Sequence, residues 1–225
     1  MFGQYQKSLA EGTLPHKDID HFLDKYNGLK DQYDFVDDNQ LINWIMLNVL
    51  AGGDSSAGAM RPVLYHLAKN LSKYAKLVKE LEEAALPMPA QWKHLSKLPY
   101  LDAVMKESMR ISPSVGLMLE REVPDGGFEL PDGRYIPAGV KVGLNPTVVT
   151  RDVGVFGKDV DDFNPDRWLQ RPGESDDEFS TRTMRMREVT NLMFGAGNRV
   201  CMGQWMAKVG MYKLMATLYT MFDVS

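Results

Sequence analysis

The chain's one cysteine, Cys201, lies in a glycine-rich run, Phe194-Gly195-Ala196-Gly197-Asn198-Arg199-Val200-Cys201-Met202-Gly203, directly before a stretch of helical period. No other feature restricts the fold as much. The three glycines let the backbone turn tightly and let a flat body approach it. Met206, Val209, Gly210, Leu214, Thr217, Leu218 and Met221 recur at helical spacing, which predicts a helix over about 202–222. Backbone N–H groups and the helix dipole would then point towards the sulfur and favour thiolate, the form that ligates a metal. Arg199 adds positive charge for a nearby anion. The competing reading is a turn holding a buried, inert thiol, the usual state of a lone cysteine. A single cysteine excludes an internal disulfide and any multi-cysteine zinc site.

With 44% apolar and 25% charged residues the chain has ordinary globular composition. Its 225 residues suit one large domain or two small ones. A net charge of -4 gives no support for nucleic-acid binding. Fifteen methionines suggest adaptable apolar packing around something irregular. The most apolar stretch, Leu41 to Ala51, is 11 residues long, whereas a membrane-spanning helix needs about 20. The opening Met-Phe-Gly-Gln-Tyr-Gln-Lys lacks signal-peptide organisation, so the chain itself reads as soluble.

The periodicities predict a mainly α fold with a small β-sheet. Scattered apolar positions (Leu9, Leu14, Ile19, Phe22, Leu23, Tyr26) occupy the first thirty residues, where Asp18 could cap a short helix from Ile19. Asp31, Asp34, Asp37 and Asp38 form an acidic entry to a long helix over about 39–70, capped by Asp38 or Asn39 and distorted in its middle. Leu41, Ile42, Trp44, Ile45, Met46, Leu47, Val49 and Leu50 cover most of its circumference, the pattern of a buried helix. Further helices are expected over 73–85, ended by Pro87 and Pro89, and over about 98–111. Four short strands, over 119–123, 128–130, 134–136 and 140–144, are separated by Pro-Asp-Gly-Gly, Pro-Asp-Gly and Pro-Ala-Gly turns. Residues 150–188 read as mostly irregular, and the acids Glu174, Asp176, Asp177 and Glu178 as a solvated loop.

Three other groups carry possible chemistry. Gly52 and Gly53 in Ala51-Gly52-Gly53-Asp54-Ser55-Ser56 cost roughly 1 kcal/mol each in mid-helix. They mark either a tolerated kink or close helix packing, or a distorted turn that opens a groove towards Asp54 and Ser55. Glu107 and Arg110 have the spacing of a surface ion pair worth a few tenths of a kcal/mol. Leu101, Val104, Met105, Ser108 and Met109 form the inward stripe of that helix, and Glu107 and Arg110 fall off it. Arg121, in Leu119-Glu120-Arg121-Glu122-Val123, is equally well an exposed charge on an edge strand. His16, His21, His66 and His94 recur at no metal spacing.

The segment Phe194 to Gly203 resembles the haem-binding loop of the cytochrome P450 superfamily, Phe-x-x-Gly-x-Arg-x-Cys-x-Gly, with Phe194, Gly197, Arg199, Cys201 and Gly203 all in place. By that resemblance Cys201 is the axial thiolate of haem b iron (iron protoporphyrin IX), Arg199 pairs with a propionate and Phe194 packs beside the sulfur. Ala51 to Ser56 is similar to the family's oxygen-binding helix, commonly Ala-Gly-x-Asp-Thr-Thr, which makes Asp54 and Ser55 the catalytic proton-delivery pair. Ser55 stands where threonine is usual, so its rotamer is less fixed and coupling is in doubt. Pro62 departs as well and should add a bend. Glu107 and Arg110 resemble the family's Glu-x-x-Arg pair, which implies a buried network completed by Arg167. Arg121 becomes a second propionate partner, and Ala51, Val115, Gly116 and Leu117 face substrate.

The implied fold is the C-terminal portion of the cytochrome P450 fold, a partial domain over 1–225. The implied reaction is a haem-dependent monooxygenation: one atom of dioxygen enters an apolar organic substrate, with electrons from an NADPH-dependent reductase. The thiolate donates electron density that favours O–O cleavage. The wording around Val115-Gly116-Leu117 and Asn191 to Gly203 is weakly similar to fungal members near pisatin demethylase, which suggests fungal secondary metabolism. An anchor, if a full-length form carries one, would place it at the endoplasmic reticulum membrane. The rival expectation is a truncated, catalytically incompetent fragment, with the face of Leu41 to Leu50 bare. A metal-free redox or nucleophilic role for Cys201 is the third reading; no histidine lies near it in sequence.

Overall fold

The computed structural model describes residues 7, 10, 11, 22–30 and 32–224, apart from the side chains of residues 22 and 27. The expected Asp18 cap, Leu9, Leu14, Ile19, Asp31, His16 and His21 lie outside the described residues. The chain divides into two units, Met1–Ala51 and Gly52–Ser225.

In the first unit helix α1 (Phe22–Lys30) precedes the start of α2 (Asp38–Lys69). Tyr26, Val36 and Leu41 form a small buried cluster, with Leu23, Trp44 and Ile45 packed against it. The cap of α2 is Asp37, whose carboxylate accepts the Gln40 N–H at 2.8 Å, one residue earlier than expected. Asp38 is drawn away from capping by the Tyr26 hydroxyl and the Lys30 ammonium. The expected burial of the next turns is not found. Ile42, Met46, Leu47, Val49 and Leu50 are exposed, because this cluster touches one face of the helix only. Helix α2 is continuous through Gly52, Gly53 and Pro62. A Cβ at either glycine would meet nothing within 4 Å, so close packing does not require them.

The second unit is built around one large core. Ala59, Val63 and Leu67 of α2 meet Leu77 and Leu81 of α3 (Leu71–Ala84) and Leu95 of the short α4 (Trp92–Leu95). Tyr100, Leu101, Val104, Met105 and Met109 of α5 (Pro99–Ile111) join the same core. The amphipathic face of α3 was evident from sequence; its start is two residues earlier than expected. Helix α5 has no capping side chain at Leu98. Instead Glu80 of α3 accepts the N–H groups of Tyr100 and Leu101 at 2.7 and 2.8 Å. A carboxylate therefore satisfies two open donors and faces the positive end of the helix.

The expected small sheet is two antiparallel ribbons. Strand β1 (Leu119–Glu122) pairs with β4 (Lys141–Leu144), placing Arg121 opposite Val142. Strand β2 (Phe128–Glu129) pairs with β3 (Tyr135–Ile136) at the tip. A Cβ on Gly143 would come within 2.7 Å of the Leu119 carbonyl, so this ribbon requires glycine there.

The segment read as irregular is substantially ordered. Helix α6 (Pro146–Val149) is capped by Asn145, and α7 (Val153–Phe156) by Asp152. A 3-10 turn spans Pro165–Trp168. Of the four acids expected in a solvated loop, Asp176, Asp177 and Glu178 form the first turn of α8 (Asp176–Asn191), and Glu174 lies just before its cap. Ser175 and Glu178 form a reciprocal capping box, and Glu174 pairs with Arg182 at 2.6 Å. Acidic residues gather there because the first helical turn favours negative charge. The last helix, α9 (Gln204–Met221), buries Met211, Tyr212, Met215, Ala216 and Tyr219.

Candidate functional site

Glu107 and Arg110 are wholly buried on α5, and Arg167 is 4% exposed in the 3-10 turn. The two Glu107 oxygens accept five hydrogen bonds. Oε1 receives Arg110 Nη2 at 2.8 Å and Arg167 Nε and the Asn164 N–H at 2.9 Å. Oε2 receives Arg110 Nε and Trp168 Nε1, both at 2.9 Å. Arg110 spends its remaining donors on the carbonyls of Thr150, Val160 and Asp162. Arg167 reaches the Phe156 carbonyl and Asp159. Asn164's amide and then Arg167 hold the Asp159 carboxyl below its ordinary range, against the opposing effect of burial. Two guanidinium groups on one carboxylate carry net positive charge, and the ring of carbonyls and Asp159 disperses it. This is the condition under which buried charge is tolerated.

Both sides of α5 are covered. One face meets the large core, and Ala103 on another packs with Phe156, Val160, Trp168 and Met186. Ten of the thirteen α5 residues are buried, which explains why off-stripe charges are enclosed. Trp168, Asn164 and Asp159 have no local sequence signal; each joins the network only through this long-range packing.

The loop before α9 has the opposite character. Phe194 ends a 3-10 turn and packs partly buried against the large core. Its carbonyl accepts the Cys201 N–H at 2.8 Å, which closes the loop. Gly195 and Gly197 have φ of +77° and +62°, and a Cβ on Gly195 would lie 3.2 Å from the Arg199 carbonyl. Only glycine meets that turn without strain. Cys201 is an exposed free cysteine, not the buried inert thiol of the competing reading. Gly203 lies beside it: a Cβ there would be 4.0 Å from the sulfur. Helix α9 begins at Gln204, three positions beyond the cysteine.

The other candidates are placed as follows. Asp54 and Ser55 are exposed on consecutive positions of α2, and Ala51 is exposed at the end of the first unit. Arg121 and Arg199 are exposed, and neither has a carboxylate partner among the described residues. Val115, Gly116 and Leu117 are exposed between α5 and β1; Gly116 sits against Thr147. A cavity of about 570 Å³ lies elsewhere, between Tyr65–Lys73 and Asp159–Asn164, and contains none of these residues.

Haem would need a soft axial donor, cations for two carboxylates and apolar contact for a flat ring. An exposed sulfur, two arginines without acid partners and exposed Val115, Leu117, Met118, Val200 and Met202 supply that chemistry. The residues present therefore fit the group.

A mainly helical fold with a glycine-shaped cysteine loop and a buried Glu-Arg-Arg network has the parts of a haem-thiolate protein. A family model of cytochrome P450 matches residues 1–225, and the chain belongs to that family. It is 39% identical to the cytochrome P450 monooxygenase cfoH of Aspergillus candidus over 204 residues, covering 90% of this chain and 38% of that relative. It is 34% identical to the cytochrome P450 monooxygenase vrtE of Penicillium aethiopicum, covering 97% of this chain and 42% of the relative. It is 38% identical to the cytochrome P450 monooxygenase ACRTS1 of Alternaria alternata, covering 78% and 45%. The chain thus spans about two fifths of the length of these fungal relatives.

Proposed function

We propose that residues 1–225 form the haem-ligating part of a monooxygenase that inserts one atom of dioxygen into an apolar organic substrate. The observation that carries this reading is Cys201, exposed at the centre of a loop whose backbone is otherwise closed by the Phe194 carbonyl. Bound haem b would supply oxygen activation, a reaction no side chain performs alone. Cys201 Sγ would bind its iron, and Arg121 and Arg199 would neutralise its two carboxylates. The Phe194 ring would pack beside the sulfur. Ser55 Oγ would present a proton at the reacting face, and the Asp54 carboxylate would return it from solvent. Val115, Gly116 and Leu117 would contact substrate. Electrons would come from an NADPH-dependent reductase. The fungal origin of the relatives supports a role in secondary metabolism. A form carrying an anchor would act at the endoplasmic reticulum membrane; among the described residues no helix is long and apolar enough to cross one.

The test is the carbon monoxide difference spectrum of the reduced, haem-loaded protein. Thiolate ligation should place the Soret band at its long-wavelength position, and Cys201→Ser should abolish that band while leaving helical circular dichroism largely intact. An unchanged spectrum in the variant refutes the assignment. A second reading, that residues 1–225 by themselves are catalytically incompetent, is favoured by the bare Ile42, Met46, Leu47, Val49 and Leu50. Efficient, well-coupled turnover by purified residues 1–225 with haem and reductase would exclude it.

A further inference from the structure

Lys208 lies one helical turn into α9, and its ammonium is placed over two aromatic faces. It is 5.4 Å from the Phe194 ring centroid and 4.8 Å from that of Trp205. Among the described residues it makes no hydrogen bond or ion pair, although its side chain is half-buried. Burial lowers the Lys208 pKa, repulsion from Lys106 adds to this, and Asp102 opposes it. A cation so placed is held by the negative faces of the two rings. One of those rings belongs to the residue whose carbonyl closes the cysteine loop.

We propose that Lys208 is a positioning residue for the Cys201 sulfur, acting through Phe194 and Trp205 and setting the electron affinity of the metal that the sulfur would bind. The proposal rests on the haem-thiolate reading above. The cation has two effects in the same direction. It restrains the Phe194 ring, which holds the loop carbonyl on the Cys201 N–H and so keeps the sulfur in one orientation. Its positive charge, in surroundings drier than bulk water, also favours whichever state of the site carries more negative charge. One-electron reduction of the iron adds such a charge. Lys208 should therefore make reduction easier, offsetting electron donation from the thiolate. Trp205 is 65% exposed and belongs to none of the buried clusters, so its ring serves the cation rather than the core.

The experiment measures the ferric/ferrous midpoint potential and the carbon monoxide spectrum of the haem-loaded chain and three variants. Lys208→Met keeps the length of the stem and removes the charge. It should lower the ferrous-to-ferric ratio at fixed potential about tenfold, a negative shift of about 59 mV for one electron. Lys208→Arg keeps a cation that stacks on aromatic rings and should stay within about twofold of the parent. Trp205→Leu removes one face at an exposed position and should shift the potential in the same direction by a smaller amount. If Lys208→Met fails to fold, the tryptophan variant still decides the matter. A Lys208→Met potential equal to the parent's overturns the proposal. So does a Lys208→Arg potential displaced as far as that of Lys208→Met, since shape and not charge would then be responsible. A parent chain without the thiolate-type band refutes the haem-thiolate reading itself, a failure separable from an unshifted variant.

Discussion

Glu107 takes five hydrogen bonds without exposing any surface, whereas Cys201 stands in the open with its N–H bonded to the Phe194 carbonyl and its sulfur exposed. The same contrast extends to the arginines. Arg110 and Arg167 have carboxylate and carbonyl partners for their guanidinium groups, while Arg121 and Arg199 have no acid partner among the described residues. Buried charge must be matched inside the protein, because an unmatched one costs several kcal/mol. A group in water carries no such requirement and keeps its bonding capacity. The first region can therefore serve as scaffold, joining α5 to the Pro165–Trp168 turn. The second has capacity left for something not made of protein.

The largest expected effect is on the scaffold. Glu107→Ala would strand two buried guanidinium groups and should destabilise the fold by about 3–5 kcal/mol, measured by denaturant unfolding. A loss below about 1 kcal/mol would mean that water enters and replaces the carboxylate, and the contrast with the loop would disappear. Gly195→Ala addresses the open region. Its φ of +77° and ψ of -172° lie where side chains are strained, at a cost of about 1–3 kcal/mol. Haem affinity should fall more than global stability does, by spectroscopic titration against thermal melting. Equal loss of both would show that the loop is a structural clasp.

The smallest effect concerns a partly exposed pair outside both regions. The Arg182 guanidinium holds the Glu174 carboxyl at about 2, well below its ordinary value of 4.5. The folded pKa is depressed, so this pair's stabilisation is complete above about 4.5 and is lost as pH falls towards 2. Glu174→Gln should flatten acid unfolding within that window and change nothing measurable on added acid dependence above it. An unaltered acid limb would show that Arg182 relies on its carbonyl partners, Arg167 and Leu169, instead.

Some misreadings had a usable signal. Ser175-Asp176-Asp177-Glu178 is a capping-box pattern, yet the density of acids suggested a loop. The exposed turns of α2 had the opposite problem: an apolar circumference signals burial without saying which surface provides it. Other features had no local signal. Glu80 caps a helix twenty residues further on, and Lys208 meets Phe194 only because the chain turns back on itself at the cysteine loop.

From residue order alone came the helical and turn-rich segments, the glycine-shaped cysteine loop and the spacing of Glu107 and Arg110, since each depends on neighbours a few positions away. Tertiary structure decided that Glu107 and Arg110 are enclosed and that Cys201 is open. Helical period reports the face a helix turns to its first neighbour. It does not report the second layer, here the Pro165–Trp168 turn and the residues around Phe156, that closes over the opposite face. Burial is a property of everything that packs nearby, and for α5 much of that lies some fifty to sixty residues away along the chain.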